Sequence, residues 1–281
     1  MSVNRLDNEL SAFLRAQEVL GDDTHHQLEV SCATPLMKYV DPAKLQGRLG
    51  RVGEMKFLPA QVEYLGTTGR FTAEFLAWLE TNPWPNTRVL SKGKDLMVSV
   101  EGSPSELALV EVPISVQLHD LYYVGIFNEN DLNANMIVGE GIRRLQTKLD
   151  LLRNCGVRFY EAGTRSRYGF DWHSLLLQVI LGDASELLLG TTNVGIAMSY
   201  GLRPFTAADV GAILGPTSVR EMESMLEGNP GATLVVSGVN AFEIAHLHSH
   251  FGDRLVFEWG ADLTSDMGPA GRSLPLSFTT T

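Results

Sequence analysis

The sequence contains little cysteine and no long apolar run. Its two cysteines, Cys32 and Cys155, lie in apolar neighbourhoods, which is typical of inert buried thiols and not of a disulfide framework or a metal cage. The longest apolar stretches, such as LLLQVILG at 175–182, are much shorter than the ~20 residues that cross a bilayer. Because MSVNRLDNELSAF at the N-terminus has no apolar signal core, we expect a soluble, cytoplasmic protein without a membrane partner.

Positive charge is also scarce. The chain carries 22 Lys and Arg against 33 Asp and Glu, for a formal net charge of -11. A nucleic-acid partner is therefore not expected, because neutralising phosphates requires a basic surface. A few arginines can still form a local site for a small anion in an acidic protein.

The chain does contain enough apolar residues, 44% of 281, to bury a substantial core in one or two closely packed domains. In the N-terminal half, apolar periodicity and turn residues predict an α+β arrangement. The predicted elements are a helix over 5–20, a strand over 28–34, helices over 41–65 and 71–81, a hairpin turning at Lys92-Gly93, a strand passing into a helix over 105–127 with Pro113 at the join, and a helix within 128–154.

In the C-terminal half, strand and helix patterns alternate. VRFYEAG, LLLGTTN, TLVVSG and RLVFEWGADL read as strands, with helical patterns between them. Such alternation predicts parallel strands with crossover helices and a ligand site at the carboxyl ends of the strands. We therefore predict an α/β protein with two domains, an N-terminal α+β domain over 1–150 and a reduced β/α barrel over 151–281.

Arg165 and Arg167 directly follow the strand VRFYEAG, where a parallel sheet gathers its ligand groups. Guanidinium groups bind carboxylate or phosphate with two hydrogen bonds. The alternative interpretation is a pair of surface arginines in salt bridges, and the local sequence favours neither.

Two further loops that follow predicted strands have the form of anion sites. Gly190, Thr192 and Asn193 lie between a strand and a helix start, where free amides and hydroxyls can hold a phosphate; an ordinary N-cap is the alternative. Gly260 and Thr264 in WGADLTSDMG have the same form and the same alternative.

Metal and nucleotide motifs are weak. His246, His248 and His250 resemble a metal cluster, but only the first and last share a helix face and no acidic hydrolytic motif lies near them. No full dinucleotide fingerprint and no phosphate-binding GxxxxGK[ST] loop occurs. We therefore predict no metal site.

In their order along the chain, these segments resemble the nicotinate phosphoribosyltransferases, enzymes of NAD salvage with a type II phosphoribosyltransferase fold. VRFYEAGTRSRYGF resembles that family's phenylalanine followed by Gly-Thr-Arg-Arg-Arg, and LLLGTTNVGIAMSYGLRPFTAAD resembles its Gly-Thr-Ser-Asn segment. FTAEFLAWLET, the run DLMVSVEGSPSELALVEVPI and the segment GATLVVSGVNAFEIAHLHSHFGDRLVFEWGADLTSDM resemble its N-terminal half and its last barrel strands. The resemblance covers most of 28–280.

The differences from the family fall on its chemistry. Ser11 and Ala12 stand where the family has the Tyr and Lys of Asp-x-Tyr-Lys, and Ser166 replaces the middle arginine. Asp209 aligns with the family's histidine that ATP phosphorylates. The catalytic residue of this chain is therefore unknown. GAILGPTS at 211–218 replaces the Asp-Ser-Gly-Asp that holds ribose and metal, and Leu214, Gly215 and Pro216 offer no carboxylate for Mg²⁺.

The resemblance thus implies a nicotinate phosphoribosyltransferase-like protein with impaired catalysis, needing Mg²⁺ and ATP only if active. A nicotinate or phosphate ligand would be held by Arg165, Arg167, Thr192 and Asn193, and its phosphate by Gly190, Gly260 and Thr264. The alternative is a non-catalytic structural or regulatory subunit that reuses the fold, for instance in a viral particle. A shortened barrel exposes strand edges, so we expect a homo-oligomer or a heteromeric assembly.

Overall fold

A computed structural model describes most of the chain: residues 5–32, 36–82, 84–131, 133–210, 213–214, 219–236, 241–260, 274 and 276–281. Its helices and strands alternate in a mixed α/β order. They are α1 Leu10–Glu18, β1 His26–Cys32, α2 Pro42–Glu54, α3 Pro59–Thr67, α4 Ala73–Thr81, β2 Asn86–Lys92, β3 Asp95–Gly102, α5 Pro104–Glu129, α6 Ala134–Cys155, β4 Phe159–Glu161, α7 Gly169–Asp183, β5 Leu188–Thr191, α8 Val194–Tyr200, β6 Ile213–Leu214, α9 Val219–Gly228, β7 Leu234–Val236, α10 Ala241–Phe251, β8 Leu255–Trp259 and β9 Leu276–Thr280.

The first sheet is antiparallel, with the strand order β2-β3-β1-β9. The predicted hairpin is confirmed: β2 and β3 pair from Asn86 opposite Glu101 to Lys92 opposite Asp95. Gly93 has a φ of 65°, a left-handed conformation that a glycine adopts without strain. The last strand, β9, returns to pair with β1, so the C-terminal end of the chain joins the N-terminal sheet.

The second sheet is parallel, with the order β5-β4-β8-β7-β6. The predicted alternation of strands and crossover helices is confirmed, and with it the mixed α/β class. Among the described residues, β5 and β6 are the outer strands of this sheet, and only an isolated bridge between Thr191 and Pro204 extends it beyond β5. Closure into a reduced barrel and the division into two domains stay predictions.

The prediction of a strand before Pro113 is wrong, because residues 104–129 form one helix of 26 residues, α5. Ser103 caps its start, since the Ser103 hydroxyl accepts from the Glu106 amide and the Glu106 carboxylate accepts from the Ser103 amide. This capping box starts the helix nine residues before the proline. The helix is buried on most of its surface, which explains why its sequence lacks the periodicity of an amphipathic helix.

The first helix also differs from the prediction, because it begins at Leu10 and not near residue 5. Residues 5–9, which we call the N-terminal segment, are not helical and lie over the start of α8. The Gly195 amide donates to the Leu6 carbonyl at 2.7 Å, and a Cβ at Gly195 would lie 3.0 Å from that carbonyl group. Tertiary contacts therefore override the helical periodicity of the segment.

Both cysteines are free thiols and half-buried, Cys32 in β1 and Cys155 at the end of α6. None of the helices in the described part of the chain combines the length and the apolar character needed to cross a bilayer.

Candidate functional site

A cavity of about 470 Å³ opens beside the carboxyl ends of β4, β5 and β8. We call it the strand-end cavity. It lies where the strand pattern predicts a ligand site, because parallel strands direct their following loops to the same edge. Its lining residues with hydroxyl, carboxylate or guanidinium groups are Glu9, Ser11, Tyr160, Arg165, Thr192, Thr206 and Glu258.

Arg167 is not part of that lining. Its side chain is only 1% exposed and pairs with the carboxylate of Asp7 from the N-terminal segment. Arg167 Nη1 donates to Asp7 Oδ1 at 2.7 Å, and Nη2 donates to Oδ2. Asn193 Nδ2 donates to the same Asp7 Oδ1 at 2.8 Å. The two buried candidates Arg167 and Asn193 are thus joined through one carboxylate of the chain itself.

The charge of this buried group is balanced locally. Burial raises the pKa of Asp7, but the charge and hydrogen bonds of Arg167, together with the Asn193 amide, outweigh it and hold the pKa below its ordinary value. Asp7 is therefore an ionised internal counter-ion for Arg167.

A second buried carboxylate, Glu161, lies at the end of β4. Thr191 Oγ1 donates to Glu161 Oε2 at 2.6 Å, and the Gly163 amide donates to Oε1. His173 Nε2 lies 2.9 Å from Oε1, while Arg167 Nη1 lies 3.2 Å from His173 Nδ1. Because a guanidinium only donates, Nδ1 is the accepting nitrogen and Nε2 carries the hydrogen toward Glu161. The buried network is therefore built from side chains of the protein, while Arg167 Nε has no hydrogen-bond partner among the described residues.

Arg165 faces the strand-end cavity, and its side chain is 35% exposed. Its Nε lies 3.0 Å from both carboxylate oxygens of Glu9, and Nη2 lies 3.0 Å from Oε2. Nη1 lies 3.8 Å from Glu111. Burial raises the pKa of Glu9, and Arg165 only partly offsets this effect.

The start of α8 offers fewer free donors than its sequence predicts. The Val194 amide donates to Asn8 O at 2.9 Å, the Gly195 amide donates to the Leu6 carbonyl, and the Ile196 amide donates to Asn193 Oδ1 at 2.9 Å. The expectation of free amides at this helix start is therefore wrong, because the N-terminal segment and the N-cap already satisfy them.

Thr192 lines the strand-end cavity, but its hydroxyl is not open to it. Its Oγ1 is buried and has no hydrogen-bond partner in the described part of the chain. Its neighbour Gly190 packs against the backbone of Arg203, where an added Cβ would lie 2.5 Å from the Arg203 carbonyl oxygen. This close approach requires a glycine there with or without a ligand.

The second candidate loop, WGADLTSDMG, is described only at its start. Gly260 directly follows β8, and an added Cβ there would be 3.5 Å from the carbonyl oxygen of Ala162. Thr264 lies outside the described residues, as do Ser265, Gly215 and Pro216.

Asp209, at the place of the family histidine, is bound by two guanidinium groups. Arg70 Nη2 donates to Asp209 Oδ1, and Arg203 Nη2 donates to the same oxygen at 2.9 Å. The Thr206 amide donates to Oδ2 at 2.7 Å. Burial raises the pKa of Asp209, but the Arg70 and Thr206 hydrogen bonds outweigh it and the pKa is lowered.

The histidines of α10 do not converge on one point. The rings of His246 and His250 lie 4.9 Å apart, whereas His248 lies 3.7 Å from Asp253. In the residues that the structure describes, no group of three or more His, Cys, Asp or Glu side chains is arranged to hold a metal ion.

Four carboxylates at the site were missed from the sequence: Asp7, Glu9, Glu161 and Glu258. Asp7 and Asn8 are both favoured N-cap residues, so LDNEL carried a signal that the helix starts later than its apolar periodicity suggests. Glu258 is the single charged residue in the strand LVFEW. A lone charge in a buried parallel strand is unusual enough to mark a site.

Several curated nicotinate phosphoribosyltransferases are similar to the chain, although no family model matches it. The chain is 25% identical over 213 residues to the nicotinate phosphoribosyltransferase of Bordetella petrii, covering 71% of this chain and 52% of that protein. It is 28% identical over 207 residues to that of Desulforapulum autotrophicum, covering 71% and 51%. The chain therefore spans about half the length of the curated relatives it matches.

Solved structures of nicotinate phosphoribosyltransferases share the fold. The structure from Porphyromonas gingivalis superposes with a TM-score of 0.80 at 14% identity, covering 99% of this chain and 90% of that chain. The structure from Vibrio cholerae gives a TM-score of 0.79 at 17% identity, covering 99% and 85%. The resemblance read from the sequence is confirmed by these matches.

Proposed function

We propose that this chain, a short and divergent relative of the nicotinate phosphoribosyltransferases, keeps a small-molecule cavity at its strand ends but has lost efficient phosphoribosyl transfer to nicotinate. One observation carries the proposal. The N-terminal segment places Asp7 on Arg167 and Glu9 on Arg165, so the guanidinium groups suited to a substrate anion already have carboxylate partners. The cavity beside Arg165 nevertheless stays open.

The chemistry of phosphoribosyl transfer supports the loss. A cationic, oxocarbenium-like centre forms while pyrophosphate leaves, and cationic groups or a metal ion must stabilise the leaving group. Both candidate arginines are engaged elsewhere, and GAILGPTS, where the family has its Asp-Ser-Gly-Asp, contains no carboxylate for Mg²⁺. Each such group typically contributes roughly 10²-fold or more to the rate.

Asp209 supports the same conclusion. For this carboxylate to attack a phosphoryl group, its oxygens would have to be available as nucleophiles. Arg70 and Arg203 both bond Oδ1, and the Thr206 amide bonds Oδ2. Hydrogen bonds that stabilise the anion this well reduce its nucleophilicity. We propose a structural role for Asp209, in which it joins the loop after α8 to Arg70.

The proposal is tested by isothermal titration calorimetry of the purified chain with nicotinate and with nicotinamide as probes. We expect saturable binding of at least one of them, weakened at least tenfold in an Ala208→Trp variant, because Ala208 lines the cavity and the larger side chain would fill it. Absence of binding by both probes would show that the cavity does not serve as a ligand site.

A non-catalytic subunit is the second candidate. The observation that favours it is the open edge of the parallel sheet, where β6 is an outer strand of only two residues in the described part of the chain. Unpaired strand edges are commonly covered by another chain. We propose a homo-oligomer or a heteromeric assembly, and light scattering at micromolar concentration tests the first: a stable monomer of 30.8 kDa would exclude self-association.

A further inference from the structure

The charge of the strand-end cavity limits the ligands that it can take. Its described lining contains two carboxylates, Glu9 and Glu258, and one guanidinium, Arg165. Two negative charges and one positive charge leave this wall with a net charge of one negative unit. Its other polar groups are hydroxyls, which can donate or accept.

The single cation of the cavity has carboxylates on both sides. The Glu9 carboxylate lies 3.0 Å from both Nε and Nη2 of Arg165, and the Glu111 carboxylate lies 3.8 Å from Nη1. The Glu9 side chain is 11% exposed and the Arg165 side chain 35%, so water screens this pair only in part. A carboxylate ligand would have to displace Glu9 from Arg165 or lie beside it, and juxtaposed like charges are strongly unfavourable in such a setting.

Glu258 is the second carboxylate of the cavity lining. The Tyr160 hydroxyl donates to Glu258 Oε2, and burial together with this bond raises the pKa of Tyr160. Tyr160 therefore remains a neutral donor that is already engaged. The other Glu258 oxygen can accept a hydrogen bond from a ligand.

We infer that the strand-end cavity binds an uncharged or cationic nitrogen heterocycle that donates N–H hydrogen bonds, such as a pyridine carboxamide, in preference to the corresponding carboxylate. This inference rests on the proposed function, because it assumes that the cavity binds a small heterocycle. It adds that the carboxylates of Glu9 and Glu258 select against ligands with a negative charge.

Nicotinamide and nicotinate are matched probes, because they differ only by an amide in place of a carboxylate. By calorimetry at pH 7.5 we expect nicotinamide to bind at least about tenfold more tightly, and 1-methylnicotinamide, a pyridinium cation, at least as tightly as nicotinate. Glu9→Gln frees Arg165 and should raise the affinity for nicotinate at least tenfold. Glu258→Gln should act in the same direction, while nicotinamide affinity changes by less than about threefold.

Glu80→Gln is the matched control, because it removes one negative charge from the exposed end of α4. We expect it to leave the ratio of the two affinities unchanged. Tighter binding of nicotinate than of nicotinamide by the wild-type chain would overturn the inference and leave the proposed function standing. An equal effect of Glu80→Gln and Glu9→Gln would also overturn it. Absence of binding by all three probes would overturn the inference and the proposed function together.

Discussion

Arg165 and Arg167 are two residues apart in the chain, and each pairs with a carboxylate of the N-terminal segment. Their surroundings nevertheless differ. Arg167 is 1% exposed and bonded to Asp7 within a buried network, whereas Arg165 is 35% exposed at the strand-end cavity. The same side chain, in nearly the same place in the sequence, thus belongs to the protein core in one case and to a ligand-facing wall in the other.

This difference shows how a binding site can be partly converted into structure. An arginine with an internal counter-ion stabilises the fold only while both partners are present, because a buried charge left alone is very unfavourable. An exposed ion pair contributes little to stability, since water screens it. Removal of Arg167 or its partner should therefore lower the free energy of unfolding much more than removal of Arg165.

The largest effect is expected from Asp7→Asn, which leaves the buried Arg167 guanidinium without its counter-ion. We expect the free energy of unfolding to fall by about 3 to 5 kcal/mol, measured by urea denaturation. Asp171→Asn is the control, because it removes a carboxylate from an exposed position in the first turn of α7. A loss below about 1 kcal/mol for Asp7→Asn would mean that the buried network does not hold the N-terminal segment in place.

The next effect concerns pH and the carboxylate of Asp120, which lies close to the Arg167 network. Burial raises the pKa of Asp120 to about 6, although Arg167 and Arg48 oppose the shift. Because the ordinary pKa is 3.8, the folded state binds more protons than the unfolded state between these values. The contribution of Asp120 to stability therefore improves as pH falls from about 6 to 4.

Asp120→Asn should remove that contribution. As pH falls from 7 to 4, we expect wild type to gain about 2 to 3 kcal/mol in unfolding free energy relative to the variant. Urea denaturation of both proteins over this pH range measures the difference. Parallel pH profiles would show that Asp120 is as solvated as an ordinary aspartate.

A smaller effect is expected from Arg165→Ala. Because the Arg165–Glu9 pair is partly exposed, the loss of unfolding free energy should be about 1 kcal/mol, against several kcal/mol for Arg167→Ala. The two variants differ only in which arginine is removed, so each serves as the control of the other. Equal losses in thermal or urea unfolding would remove the distinction between the two arginines.

The smallest effect is expected from Arg203→Ala. Its side chain is 62% exposed, and Asp209 keeps its hydrogen bonds from Arg70 and Thr206 after the change. Unfolding free energy should change by less than about 0.5 kcal/mol. Calorimetric titration with nicotinamide should also be unchanged, since Arg203 does not line the strand-end cavity; a tenfold loss of affinity would extend the site to this loop.

Local patterns in the sequence predict much of the fold. Helix α8 occupies 194–200 as expected, because Asn193 is a strong N-cap and Gly201 has a φ of 63° at the end of the helix. The β2–β3 hairpin follows from alternation around Lys92-Gly93 in the same way. These elements depend on residues that are close together in the chain.

The two elements that were predicted wrongly depend on contacts between distant residues. Residues 5–9 have helical periodicity, but Asp7 bonds to Arg167, 160 positions away, and no local pattern contains that partner. Helix α5 is surrounded by apolar neighbours, so its sequence loses the period that distinguishes a helix from a strand. The positions of Arg165 and Thr192 at the cavity followed from strand ends. The lone charge of Glu258 in its strand was a signal that was not used, whereas the position of Glu9 depends on the contact of the N-terminal segment with Arg165.

The loss of transfer is tested most directly by an activity measurement. The purified chain is incubated with nicotinate, phosphoribosyl pyrophosphate, Mg²⁺ and ATP, and nicotinate mononucleotide is quantified against a reaction without protein. We expect no product above that background, because the guanidinium groups of Arg165 and Arg167 are already paired with the chain's own carboxylates. Product that forms with wild type and disappears with Arg165→Ala would contradict this expectation and show that transfer persists.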